Sequence, residues 1–297
     1  VTSQRKRGLF IASFILPTFV IYCIFTLYPI IRALYISLFE WSGASDNMNY
    51  IGFNNFRDMF ADPIIYKAMV NDYFLIFWKV FGILIAALFF AVALTRFGMR
   101  GTGFYRAVFF FPNVLSIVVI AVLWRFIYNP SYGFLNGILS FILGRPVDIP
   151  WLGDSTYSIW ALLPPAIWAG IGFYMLLLIA AIKSIPASLY ESAEIDGARQ
   201  WKQFTHITLP LIWEQVKVSV VLIVITSLNG SFAIVSVMTE GGPDNATQVL
   251  GYYLYQMGFK QYHMGYASAI GVLILVLSLV TTFVLQRLMK KEVIEIS

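Results

Sequence analysis

An all-α integral membrane protein with six transmembrane helices, and a polar loop between the fourth and fifth, is the fold class this sequence predicts. Three observations predict it. Of 297 residues, 59% are hydrophobic and only 12% are charged, against the roughly 25% charged content of soluble domains. Six stretches are uncharged or nearly so: 9–31, 73–95, 107–124, 158–182, 218–238 and 264–285. Each is close to the ~20 helical residues that a hydrocarbon layer of about 30 Å requires. The third observation is that lysine and arginine crowd into alternate segments between these stretches, as orientation in a membrane demands.

The first stretch follows Arg5-Lys6-Arg7, which also resembles the start of a signal peptide. Its apolar run is too long for a signal core and lacks a convincing small-residue cleavage site, so it reads as a retained span. Cys23, the single cysteine, lies within it and excludes an intrachain disulfide; a small buried apolar role suits it. Residues 126–144 are also uncharged and could be counted as a seventh span. Asn129-Pro130, Gly133, Asn136 and Gly137 would leave backbone groups poorly paired in lipid, so the segment is predicted to be a short interfacial or re-entrant helix.

Charge supports that choice. With six spans and an inner N-terminus, the inner segments hold Arg5, Lys6, Arg7, Arg96, Arg100, Arg106, Lys183, Arg199, Lys202, Lys217, Arg287, Lys290 and Lys291. The outer ones hold only Arg57, Lys67, Arg145 and Lys260. A seventh span would invert the basic second half of the chain. Both termini are therefore expected in the cytoplasm, and the net charge of +5 is explained by orientation without nucleic-acid binding.

The sequence contains no G-x-x-x-x-G-K-[ST] nucleotide loop. No Asp or Glu lies in the middle of the six stretches, which counts against proton or sodium coupling. Arg32, Lys79 and Arg125 fall toward the outer leaflet, where snorkelling to the interface competes with a role facing an anionic substrate or an outer partner. His206 and His263 are read as ordinary surface or interface residues. No nucleophile–base pair and no metal-ligand pattern accompanies them.

The polar loop, 186–210, has its own local chemistry. Pro186 cannot continue the fourth span, and Ser188-Leu189-Tyr190-Glu191 has the form of a capping box that would start a new helix. Gly197 can take the left-handed conformation that ends one. A second amphipathic piece, 199–207, precedes Pro210. Ala193 and Gly197, four residues apart, leave a bare strip that another protein can approach closely. On local pattern alone, a docking helix and an amphipathic loop lying on the membrane surface fit equally.

Here the residues carry a resemblance. Glu191-Ser192-Ala193-x-x-Asp196-Gly197-Ala198, continuing to Phe204 and Ile207-x-Leu209-Pro210, resembles the EAA loop of binding-protein-dependent ABC importer permeases, with Ser192 where the motif usually has Ala. Thr239-Glu240-Gly241-Gly242-Pro243, then Thr247, Tyr253, Tyr255 and Gly265-Tyr266-Ala267, is similar to the pattern of the carbohydrate branch, on the maltose-type and glycerol-phosphate-type first subunit. Asn129-Pro130, Gly133 and Leu135-Asn136 match that family's outer segment before the fourth span. A large outer domain like that of the maltose permease is missing from the early part of this chain.

The resemblance implies a permease subunit in a prokaryotic cell membrane that does no bond chemistry and moves a sugar or oligosaccharide by alternating access. It implies four kinds of partner: a second related permease, two ATPase subunits that carry ATP and magnesium, an extracytoplasmic solute-binding protein, and membrane lipid. Ser188, Glu191, Ser192, Ala193, Asp196, Gly197 and Ala198 would form the ATPase-coupling helix. Trp168, Gly172, Phe173 and Tyr174 on the fourth span, with Thr226, Asn229, Gly230, Ser231 and Phe232 on the fifth, are the candidate substrate contacts. Polar residues at that depth serve equally as glue between helices. The expected organisation is 1–72 as first span and outer loop, 73–290 as permease domain, and 291–297 as a cytoplasmic tail. The alternatives are an ion-coupled secondary transporter, or a permease for an anionic saccharide or phosphorylated polyol.

Overall fold

The computed structural model describes residues 2–44, 47–97 and 101–290, with side chains from residue 10 onward except those of Ala12 and Asn229. Arg100, Lys291, the tail 291–297 and the side chains of Arg5, Lys6, Arg7 and Asn229 thus lie outside the described residues. The chain runs through α1 (Thr2–Tyr22), a π-helical turn (Cys23–Leu27), α2 (Tyr28–Ile36), β1 (Phe39–Glu40), β2 (Asn49–Tyr50), α3 (Asn54–Ala61), α4 (Pro63–Arg96), α5 (Thr102–Val114), α6 (Ile117–Ile127) and α7 (Phe134–Leu143). There follow α8 (Ser158–Ala161), α9 (Leu163–Lys183), α10 (Ala187–Ile195), α11 (Gln200–Gln203), a π-helical turn (Phe204–Thr208) and α12 (Leu209–Leu211). The last elements are α13 (Trp213–Met238), α14 (Leu250–Tyr255), a third π-helical turn (Gln256–Lys260) and α15 (Met264–Leu288).

By packing the chain forms two compact units, residues 1–63 with 253–275 and residues 64–252 with 276–297. In the first, β1 and β2 pair antiparallel as Phe39↔Tyr50 and Glu40↔Asn49. Two strand residues on each side cannot hold a ribbon alone. Buried Asn55 of α3 anchors it, its amide donating to Ser37 O at 2.8 Å and Phe39 O at 2.9 Å. Just beyond α3, Asp62 accepts from the hydroxyls of Tyr253 (2.5 Å) and Tyr266 (2.9 Å). Burial, reinforced by that carboxylate, pushes the Tyr253 hydroxyl up, so it remains a donor at neutral pH.

The core of the second unit is built from α4, α9 and α13. Ile83, Ala87, Ala91 and Leu94 of α4 pack with Met175, Leu178 and Ile182 of α9 and with Val216 and Ile223 of α13. The α4–α9 crossing is reciprocal. A Cβ on Gly82 would meet Ile167 at 2.5 Å, and one on Gly170 would meet Ile83 at 2.7 Å, so each helix offers a glycine hollow to the other's isoleucine. Near its start, α4 is pinned to the segment before α14. Asn71 donates to Ala246 O and Gln248 O at 3.0 and 2.9 Å, and buried Asp72 accepts from Leu250 N at 2.9 Å.

Among the described residues, Ser13–Ile36, Pro63–Arg96, Ser158–Lys183 and Met264–Leu288 are each long and apolar enough to cross a membrane. Up to two more spans arise if each of two bent pairs counts as one. The continuous third span expected at 107–124 is therefore corrected: Thr102–Val114 and Ile117–Ile127 meet at 97°. Pro112 has no amide for the ladder, Leu115 is extended, and Ser116 caps the next helix through Val118 N at 3.3 Å. The approach to the fifth is also broken, by 69° between Gln200–Leu211 and Trp213–Leu228. The second expected stretch begins ten residues early, at Pro63, so that α4 spans 34 residues and about 51 Å. After α6 ends at Ile127, the stretch to residue 144 holds only the ten-residue α7, in keeping with a short helix there.

Candidate functional site

The loop after α9 is two short helices joined by a tight reversal. Pro186, extended at ψ 133°, is the residue before α10, and no side chain caps that helix. The capping box expected at Ser188 and Glu191 is therefore corrected: proline already ends the previous helix and sets the entry, which places Ser188 in the first turn instead of at the cap. The C-terminus follows expectation. Gly197 sits at φ +77°, Gly197 N donates to Glu194 O at 3.0 Å and Ala198 N to Ala193 O at 2.8 Å, the paired bonds of a Schellman ending. Nothing lies within 4 Å of a Cβ built on Gly197. Ser188, Glu191, Ser192, Asp196 and Gly197 are exposed, Ala193 and Ala198 half-buried, and Ile195 next to the reversal is 88% exposed.

Beneath this surface the loop is firmly tied. Buried Tyr190 shares a hydrogen bond of 2.9 Å with the Thr208 hydroxyl, and the Gln203 amide donates to Ala198 O at 3.0 Å. Arg96, the last residue of α4, places its guanidinium 3.5 Å from the Tyr190 ring centroid and donates to Gln203 Oε1 at 3.3 Å. Sequence reasoning counted Arg96 only as an inner charge. Tyr190 lies 94 positions away, and no local pattern links them.

The residues proposed on the fourth and fifth spans fall into two sets. Tyr174 is buried and hydrogen-bonded to Thr226, whose hydroxyl also donates to Leu222 O at 2.7 Å. Thr226 and Gly230, one turn apart, leave an open face on α13, and Phe173 is 42% exposed on α9. The others are engaged in packing. Gly172 lies against the backbone of α5, where a Cβ would meet Phe110 Cα at 2.6 Å. Trp168 packs edge-on to Trp124, Ser231 bonds back to Ser227 O at 2.8 Å, and Phe232 stacks on Tyr252 with centroids 6.3 Å apart. The Asn229 side chain is outside the described residues.

The motifs at Asn129-Pro130 and Gly241-Gly242-Pro243 are locked turns. Asn129 Oδ1 accepts from Ser131 N and Tyr132 N at 3.0 and 3.3 Å. Asn136, 3% exposed, donates to Pro130 O and Ile149 O at 3.2 and 3.0 Å and accepts from Trp151 Nε1 at 2.7 Å. After α13, the Thr247 hydroxyl donates to Gly242 O at 2.7 Å and lies 2.7 Å from the Thr239 hydroxyl. The three cationic side chains near the spans are also occupied or shielded: Arg125 donates to Val237 O at 3.1 Å, Arg32 lies 5.4 Å from the Tyr35 ring, and Lys79 is half-buried two turns after Asp72.

Comparison with known proteins extends this picture over almost the whole chain. A permease protein of Bacillus subtilis, the probable ABC transporter permease YurN, is 36% identical over 284 residues, covering 93% of this chain and 94% of the relative. NgcF of Streptomyces coelicolor, a diacetylchitobiose uptake system permease, is 35% identical, covering 92% and 80%. A chain in the crystal structure of a bacterial alginate ABC transporter, in complex with an alginate pentasaccharide-bound periplasmic protein, superposes with a TM-score of 0.84. It is 26% identical, and 98% of this chain and 99% of that one are covered. Residues 80–293 match the family model of binding-protein-dependent transport system inner membrane components. That match takes in α9, the loop through Gly197, α13 and the Gly-Gly-Pro turn, and with it this chain belongs to that family of ABC importer permeases.

Proposed function

We propose that this permease moves a sugar or oligosaccharide, received from an extracytoplasmic solute-binding protein, across a prokaryotic inner membrane by alternating access. The likeness to permeases named for diacetylchitobiose and alginate supports the substrate class. In this reading each bent pair is one span, which makes six, and both termini are cytoplasmic. Residues 1–72 form the first span and outer loop, 73–290 the permease domain and 291–297 a tail.

The observation that carries the coupling assignment is α10. Its Schellman ending at Gly197 leaves a bare exposed edge beside Ile195, an apolar side chain presented to solvent at 88% exposure. Ser188, Glu191, Ser192, Ala193, Asp196, Gly197 and Ala198 dock there on one of two ATPase subunits, which bind ATP and magnesium; the second permease engages the other. Closure of the ATPases moves this loop, and the α4–α9–α13 core reorients around the saccharide. The open face of Thr226 and Gly230, with the exposed ring of Phe173, supplies hydroxyl and ring contacts suited to a sugar, and buried Tyr174 holds Thr226 from behind. Trp168, Gly172, Asn229, Ser231 and Phe232 complete or support that region.

The test is isolation of the complex through a tag on this chain, followed by reconstitution into proteoliposomes. Two ATPase subunits and a second permease should copurify, and saccharide-loaded binding protein should stimulate ATP hydrolysis and uptake. A chain that purifies alone, or uptake that follows an ion gradient without ATP, would exclude this function.

A further inference from the structure

The loop carrying α10 is joined covalently only to α9 and α13, yet its side chains are held by a third helix. Arg96 ends α4 and touches both limbs of the loop, through the Tyr190 ring in α10 at 3.5 Å and through Gln203 Oε1 in α11 at 3.3 Å. Both contacted residues are buried, Tyr190 at 4% and Gln203 at 9% exposure. Tyr190–Thr208 and Gln203–Ala198 then cross-brace the limbs. Arg96 is solvent-exposed, as a snorkelling residue would be, yet its guanidinium carbon lies over a buried ring. The cleft beside it, about 150 Å³, is lined by Val92, Phe97, Glu194, Gln200 and Phe204 as well as Arg96, so the contact is one wall of a gap and not part of a solid core. A contact bordering a gap can be lost without unpacking α4.

We infer that Arg96 is a positioning residue for transport: by clasping Tyr190 and Gln203 it makes the end of α4 and the loop 187–211 a single moving part, so that loop displacement is delivered to α4 directly. This rests on the proposed role of α10 as the coupling helix. A planar guanidinium over a ring is not reproduced by a neutral amide, and only in part by an ammonium.

The experiment measures uptake and ATP hydrolysis together in proteoliposomes holding the complete transporter with Cys23→Ser. In Arg96→Gln and Tyr190→Leu, ATPase subunits should copurify and hydrolysis proceed, while sugar moved per ATP falls about two- to fivefold, the change expected for loss of a cation–π contact whose cation is solvent-exposed. Arg96→Lys should recover part of that ratio and Tyr190→Phe, which keeps the ring, most of it. The double variant should be no worse than either single one. A bifunctional maleimide joining Arg96→Cys to Tyr190→Cys should restore the ratio, because the two positions travel together.

An unchanged ratio in Arg96→Gln would overturn the inference, as would inactivation on joining the two cysteines. Loss of the ATPase subunits from Arg96→Gln would also overturn it, since the residue would then be merely structural. The coupling assignment fails separately, if Gly197→Asp transports normally. The clasp alone fails if Gly197→Asp is dead while Arg96→Gln moves as much sugar per ATP as the parent.

Discussion

Substitutions at Gly197 separate two roles that this residue could play, ending α10 and leaving an edge bare for an ATPase. At φ +77° a residue with a Cβ is strained by about 1–2 kcal/mol, and Asn by less because it visits the left-handed region more readily. No atom lies within 4 Å of a Cβ there, so Gly197→Ala carries the backbone cost with no clash inside this chain. If helix termination were the only role, the order of damage would be Ala worst, with Asp and Asn milder. If the edge docks, the order inverts: Ala loses least, Asn more, and Asp most, because burying an unpaired carboxylate costs several kcal/mol. At about 1.4 kcal/mol per decade, Asp should weaken ATPase retention by a hundredfold or more. The assay is copurification of the ATPase across a concentration series, with uptake normalised to assembled complex. Damage in the order Ala, Asp, Asn from worst to mildest would refute docking at this edge.

Topology can be checked by labelling in a Cys23→Ser background, where a cysteine at Ser192 should react only from the cytoplasmic side and one at Asn245 only from outside; reaction of both from one side defeats the six-span arrangement. In the proposed translocation region, Asn229→Ala should lower uptake several-fold with assembly intact, through a lost hydrogen bond of about 1 kcal/mol, and Phe232→Ala, which also unstacks Tyr252, should act in the same direction. Val224→Ala, at a residue 3% exposed among Ile76, Val220 and Leu228, should leave uptake nearly unchanged and cost about 2 kcal/mol of stability. Asn136→Ala orphans two carbonyls and the Trp151 indole N–H at once, and should lower thermal stability in detergent by about 2–3 kcal/mol with a shift in tryptophan fluorescence.

Of the six apolar stretches that hydropathy picks out, four fall in single segments long enough to span and two in bent pairs, because water-to-lipid transfer depends on composition summed over a window. Hydropathy is blind to direction within the window, so the right-angled break between α5 and α6 escaped it, although Pro112 and Ser116 carry the chemistry of a stop and a start. The early start of α4 was hidden by Lys67, Asn71 and Asp72, which look like an outer loop until the segment 244–250 is seen to receive them. The left-handed Gly197 was legible, since a glycine after a short helix has a local cause. The capping box was not, because two start signals overlapped and proline took the position. Among the candidate sugar contacts, the sequence could not separate the open face of Thr226 from the inward bond of Ser231, five residues on, because that depends on which helix packs where.

The glycine crossing of α4 with α9 divides the long helix unequally. From Gly82 the arm to Arg96 is 14 residues, about 21 Å, and the arm back to Asp72 is 10 residues, about 15 Å. A rod pivoting at that crossing returns any sideways movement of Arg96 at Asp72 reversed, and reduced to about 70% of its size. Asn71 and Asp72 grip the strand of chain that follows the Gly-Gly-Pro turn. Were α4 to pivot there as a rigid rod, a push on one end would arrive as an opposite displacement of that turn, with Gly82 as the fulcrum and Ile167 as its bearing.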